Sequence, residues 1–177
     1  MGTKTIAEGY FHSYIEAVKT HDDLLQEVRD LATSSTDPKT LMQRISDHLH
    51  AAMPRYNNIL FRVVDDSEPE VLLLGPYTGS FNPLARLSFG QGLCGTAASE
   101  KRTVVVDNVA ADGRYLPGSS MVKSEIAVPI LVDGKLAGAM DVQSYFAETF
   151  SAGKDRQFVE TCAAVVAKHM EMHRKKR

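Results

Sequence analysis

Apolar positions near the start of the chain recur every three or four residues. Tyr10, Phe11, Tyr14, Ile15, Val18, Leu25, Val28 and Leu31 form one stripe, the pattern of an amphipathic helix. The stripe breaks at Thr20-His21-Asp22-Asp23, where Thr20 and Asp23 match a capping box. The segment is therefore either two helices or one kinked helix. A further helix is expected after Asp37, a good N-cap, with Pro38 at the first helical position. Leu41, Met42, Ile45, Leu49 and Ala52 line its apolar face, and Pro54 stops it.

From residue 58 the period changes. Ile59 to Val64 and Val71 to Leu74 read as strands joined by the polar turn 65–70. A short strand around Arg86-Leu87-Ser88 leads into Gly90-Gln91-Gly92-Leu93-Cys94-Gly95-Thr96-Ala97-Ala98, a glycine turn followed by a short helix of small residues. Thr103 to Val106 is another strand, and 108–123 is a loop with no period, long enough to be functional. Glu125 to Val132 and Lys135 to Ser144 form the last two strands, with Asp133-Gly134 as a strong hairpin signal. A closing helix is expected from about residue 152, capped by Ser151 and carrying Phe158, Cys162, Val165, Val166, His169 and Met170. Turns this short exclude repeated parallel crossovers, so the order predicts an α+β fold: a mostly antiparallel sheet with helices packed on it.

Composition narrows the function classes. The 177 residues make one domain's length, with 44% apolar and 24% charged residues, an ordinary globular balance. Twenty Lys and Arg against twenty-two Asp and Glu leave a formal charge of −2, which gives no general affinity for nucleic acid. The one basic run, Arg174 to Arg177, suits a helix C-terminus. No apolar stretch approaches the ~20 residues of a membrane helix, and the first residues lack a signal-peptide core, so a soluble cytoplasmic protein with no membrane partner is expected. Two cysteines, Cys94 and Cys162, build neither a disulfide framework nor a zinc cage and are expected as reduced thiols.

Neither a cofactor nor a metal is implied. His48 and His50 diverge on a helix, and His169 and His173 share a face without a third ligand. Gly90-Gln91-Gly92 lacks the rest of a phosphate loop or dinucleotide fingerprint. Cys94 falls early in a short helix, where backbone N–H groups favour a thiolate; the competing view is a small buried residue under the sheet. Cys162 lies among apolar helix positions and reads as core. Around the Asp133-Gly134 turn, pairing 132 with 135 sets 125 opposite 142, so Glu125 and Asp141 are expected as close neighbours at the open end of the hairpin. Two close carboxylates either meet a ligand cation between them or face solvent at a strand edge.

Four stretches together resemble the GAF domain, specifically the branch that includes free methionine-(R)-sulfoxide reductases. They are Leu74-Gly75-Pro76-Tyr77-Thr78-Gly79, Gly90-Gln91-Gly92-Leu93-Cys94-Gly95-Thr96-Ala97, Ser124-Glu125-Ile126-Ala127-Val128-Pro129-Ile130 and Gly138-Ala139-Met140-Asp141-Val142-Gln143-Ser144. The resemblance implies a central antiparallel sheet of about six strands flanked by N- and C-terminal helices, with a ligand pocket under loops. It also implies three cysteines, of which this chain keeps the Cys94 position. The nucleophile's position, six residues before Ser124, is Gly118, and the resolving position, ten before Cys94, is Leu84. Reduction of a sulfoxide needs an attacking thiolate and a second thiol, so both losses bear on mechanism. The pocket tryptophan is matched by Asn58. Of the ligand-binding carboxylates Glu125 and Asp141 are kept, and another is Gln143.

The sequence thus points to residues 35–177 as a GAF domain that binds a small polar, amino-acid-like metabolite without catalysis. Glu125, Asp141 and Gln143 would hold the polar end, and Tyr77, Tyr115 and Met121 are expected walls. An atypical reductase using Cys94 with an external thiol is one alternative. A dimerisation module with a vestigial pocket is the other. Residues 1–34 are expected as a helical segment whose aromatic stripe, together with the last helix, builds a homodimer.

Overall fold

The computed structural model describes residues 19–151 and 153–175. The aromatic stripe from Tyr10 to Val18, and with it the homodimer expected from it, lies outside the described residues. Helix α1 (His21–Ser34) starts at the Thr20 capping box: the Thr20 hydroxyl accepts from the Asp23 N–H, and the Asp23 carboxylate accepts from the Thr20 N–H. Helix α2 (Pro38–Ala52) starts at Asp37, whose carboxylate accepts from the Thr40 N–H at 2.9 Å.

Then come strands β1 (Asn58–Val64), β2 (Val71–Thr78) and β3 (Arg86–Ser88), helix α3 (Gly92–Glu100) and strand β4 (Val104–Val106). A single 3-10 turn (Val109–Ala111) interrupts the following loop. Strands β5 (Ser124–Val132) and β6 (Lys135–Ser144) form the hairpin, and α4 (Gly153–Arg174) closes the described fold. The six strands form one sheet in the order β3-β2-β1-β6-β5-β4, with every neighbouring pair antiparallel. The α+β architecture expected from the element order is the one observed.

The sheet separates two apolar clusters. On one face Ile59, Phe61, Ile126, Val128, Met140 and Val142 pack with α1, α2 and α4, including Leu24, Val28, Ile45, Leu49, Phe158, Cys162 and Val166. Alternation along a strand carries the next residues to the opposite face, where Leu72, Leu87, Ala127 and Ala139 meet Leu93, Cys94, Ala97 and Ala98 of α3. The three-helix side is the thicker core. The other side has one short helix and long loops, which leaves room for a cavity.

Strand β2 runs four residues beyond the apolar run that marks it in the sequence, through Gly75 and Pro76 to Thr78. Proline cannot donate to a strand ladder, and the pairing with β1 slips by one residue between Leu60 and Arg62, opposite this point. The irregularity therefore accommodates Pro76 without ending the strand.

The β5–β6 register departs from the regular hairpin in a way that decides the site. Val132 pairs with Lys135 and Leu131 with Leu136, around a turn whose Asp133 and Gly134 have φ of 49° and 73°. Next, however, Ile130 pairs with Gly138, so Ala137 is bulged out and every later pair is shifted by one. Glu125 consequently faces Gln143, not Val142 as regular pairing predicts. Uninterrupted pairing would have put Glu125 and Asp141 on opposite faces, because adjacent strand residues alternate. The bulge brings them to the same face.

Candidate functional site

Three cross-strand rows lie side by side on the thin face of the sheet. Asn58, Gln143 and Glu125 form the first, from β1, β6 and β5. Leu60, Asp141 and Ala127 form the second, and Arg62, Ala139 and Pro129 the third. The alanines beside Asp141 and Arg62 are small, so the polar side chains have space above them.

The first row is a buried hydrogen-bonded chain. The Gln143 amide donates to Glu125 Oε2 at 3.3 Å and accepts from Asn58 Nδ2 at 3.4 Å, while Asn58 Oδ1 accepts from the Ser80 N–H at 3.2 Å. An amide at 143 therefore links the other two side chains and places a donor, not a third negative charge, beside Glu125.

Above these rows is a cavity of about 60 Å³. Leu60, Arg62, Glu125, Asp141 and Gln143 form its floor, and Leu93 and Cys94 from α3 form one wall. Phe81, Pro83 and Leu84 from one loop, with Leu116, Pro117 and Gly118 from another, cover it. The two loops meet tightly: a Cβ built on Gly118 would lie 2.9 Å from Phe81 Cε2.

Glu125, Asp141, Gln143 and Cys94, singled out in the sequence, all line this cavity. The three expected walls do not. Tyr77 lies on β2, where its carbonyl accepts from the Gln43 side chain of α2. Met121 is 56% exposed. Tyr115 is half-buried, and its hydroxyl donates to the Ser119 carbonyl within the loop. Burial, with the charge of Glu125 behind it, raises the Tyr115 phenol. Phe81, Leu84 and Leu116 supply the apolar walls instead. Arg62 is the main residue that the pattern missed, and its signal was a single charge inside the otherwise apolar run Ile59 to Val64.

The family model described as GAF domain matches residues 35–171. The chain belongs to the GAF domain family. Members of this family bind small molecules. Among its relatives, the free methionine-R-sulfoxide reductase of Saccharomyces cerevisiae is 38% identical over 109 residues, which span 61% of this chain and 59% of that protein. GAF domain-containing protein A of Dictyostelium discoideum is 31% identical over 129 residues, 70% of this chain and 76% of the relative. The crystal structure of free methionine-R-sulfoxide reductase from Neisseria meningitidis in complex with its substrate superposes with a TM-score of 0.83 at 26% identity, covering 92% of this chain and 95% of that one.

The electrostatics of this GAF domain's cavity follow from burial. Glu125 is 4% and Asp141 3% exposed. Desolvation, reinforced by the charge of Asp141, pushes the Glu125 carboxyl well above its ordinary range, with Arg62 opposing. Desolvation raises Asp141 to about 7, again opposed by Arg62 and by the Gln143 side chain. Their closeness ties the two titrations together, and burial favours the neutral form of each.

Cys94 occupies the first turn of α3, but burial overrides the helix N-terminus. Desolvation, then the charge of Asp141, push its thiol well above the ordinary value. The other thiol, Cys162, is in the three-helix core across the sheet. Positions 84 and 118, where the resemblance expects the two other reductase cysteines, both line the cavity beside Cys94 as leucine and glycine.

Proposed function

We propose that this GAF domain binds a small polar, amino-acid-like molecule in the cavity over β1, β6 and β5, and does not convert it chemically. The observation that carries this is the pairing of two buried carboxylates with a cavity that holds a single thiol, itself protonated. The carboxylates recognise a cationic or hydrogen-donating end of the ligand. The cover of Phe81, Leu84 and Leu116 takes its apolar part. Sulfoxide reduction would require Cys94 to attack the sulfur as a thiolate, against its raised pKa, with release of water and oxidation of an added thiol. The names of the reductase relatives, together with the place of Cys94 in the cavity, make that activity the second reading.

One experiment separates the two. The protein is melted in the presence of L-methionine-(R)-sulfoxide, L-methionine and the other free amino acids, and the sulfoxide samples are assayed for thioether with dithiothreitol present. Binding at 100 times Kd stabilises by about 2.7 kcal/mol, an easily measured shift. Asp141→Asn should weaken the ligand found by roughly 1–3 kcal/mol, the range of a charge-assisted hydrogen bond. Stoichiometric thioether production that disappears in Cys94→Ser would replace binding with catalysis.

A further inference from the structure

Two polar atoms of the cavity floor are buried with no hydrogen-bond partner: Nε of Arg62 and Oδ1 of Asp141. Native structures leave few such atoms unpaired, because an unsatisfied buried polar group keeps its full desolvation penalty. Arg62 is 5% exposed, and its Nη1 donates to the Leu84 carbonyl at 3.0 Å, which anchors the covering loop. That bond uses one of the five guanidinium N–H groups. The Nε–H remains a buried donor without a partner, on a side chain that lines the cavity. One row away, Asp141 lines the same cavity with its Oδ1 unpaired, and no ion pair joins the two side chains.

A donor of positive charge and an acceptor of negative charge thus line one small space without meeting. We infer that the ligand is a zwitterion, and that Arg62 receives its carboxylate while Asp141 receives its ammonium group. This deepens the amino-acid-like reading and rests on it for the ammonium end; the carboxylate end rests on Arg62 alone. Charge balance favours the same class. A simple cation would add charge next to the buried guanidinium, and a simple anion would add charge next to Asp141. A zwitterion adds none and satisfies both atoms.

Size fixes the orientation. A buried water needs roughly 10–15 Å³ of such space, so the cavity of about 60 Å³ takes a few heavy atoms, the size of a head group. The rest of the ligand leaves between Leu84 and Leu116, which line the cavity and are 52% and 39% exposed. Specificity for the head group is then set by Arg62 and Asp141, and the side chain is selected weakly by an apolar rim.

The test follows the Arg62 Nε–H resonance of the unmodified protein by nitrogen–proton NMR, assigned through its own aliphatic chain, during titration with glycine, formate and methylammonium. Glycine and formate should move it saturably, and methylammonium should not. Alongside, L-methionine-(R)-sulfoxide should bind about 10- to 100-fold more tightly than its α-carboxamide, and Arg62→Met should bring that ratio close to one. A resonance that neither glycine nor formate shifts, or an acid-to-amide ratio that Arg62→Met leaves intact, overturns the assignment of Arg62 while the binding of amino acids stands. A saturable formate shift with no amino acid bound keeps Arg62 as the carboxylate receptor and discards the amino-acid-like ligand. The NMR arm needs no variant, so misfolding of Arg62→Met cannot obscure the result.

Discussion

Between pH 5 and 8 the folded chain should lose roughly 3 kcal/mol or more of stability, and Asp141→Asn should remove the Asp141 share of that loss. Asp141 has an ordinary value of 3.8 and is raised to about 7 in the fold. Over that interval the native state binds a proton that the unfolded chain has released. Stability from such a group is complete below the unfolded value and disappears as pH rises through the folded one. Glu125, raised further by burial and by its neighbour, adds to the slope in the same direction. The carboxylates lowered by hydrogen bonds act elsewhere. Asp37, held at about 2 by its bonds to Thr40, and Asp23 and Asp65 contribute stability that is lost only as pH falls below their unfolded values. Denaturant titrations of parent and Asp141→Asn at pH 5, 6, 7 and 8 isolate the effect. The variant should be the more stable protein at pH 8 and hold no advantage at pH 5. Parallel stability curves would mean that Asp141 is ionised in the fold at every pH tested.

Gly138→Val should destabilise by about 3 kcal/mol or more, and it should disturb the cavity floor as it does so. A Cβ on Gly138 would lie 2.1 Å from the Arg62 carbonyl oxygen, which is backbone of the neighbouring strand and has no rotamer to change. The β1–β6 pairing must open to admit it, and Arg62, Asp141 and Gln143 all stand on those two strands. Gly113→Ala is the control, because a Cβ there meets nothing within 4 Å. Equal midpoints in urea for the two variants would show that β1 and β6 can separate without loss.

Local chemistry made the elements legible. Asp37-Pro38, Thr20 with Asp23 and Asp133-Gly134 each act within a few residues, and each forms the cap or turn that its side chains dictate. Features that depend on a partner strand were hidden. The extension of β2 through Pro76 exists because β1 slips opposite it, and the face of Glu125 depends on a bulge that no residue type announces. The same division runs through the site. Glu125, Asp141 and Gln143 stand out as polar residues in apolar strands, and the structure brings them to one cavity. Arg62 carried the same signal but had no local partner to draw attention to it. Tyr77 on β2 and Tyr115 and Met121 on the loop do not line the cavity, because where a large side chain points is set by packing that sequence spacing does not encode.

The bulge at Ala137 gives the hairpin a phase. Tip and base of the β5–β6 ladder are out of step by one residue, and Ala137 absorbs the difference. Gln143 is six residues further on, about 20 Å of extended chain from this point. Removing Ala137 itself would leave every pair at the base unchanged. If the bulge persisted, removing one residue between 138 and 140 would instead rotate Asp141 and Gln143 through the sheet to the helical core and bring Val142 to the cavity. One-residue changes are silent at the bulge, and a few positions later they exchange a charged cavity for an apolar one.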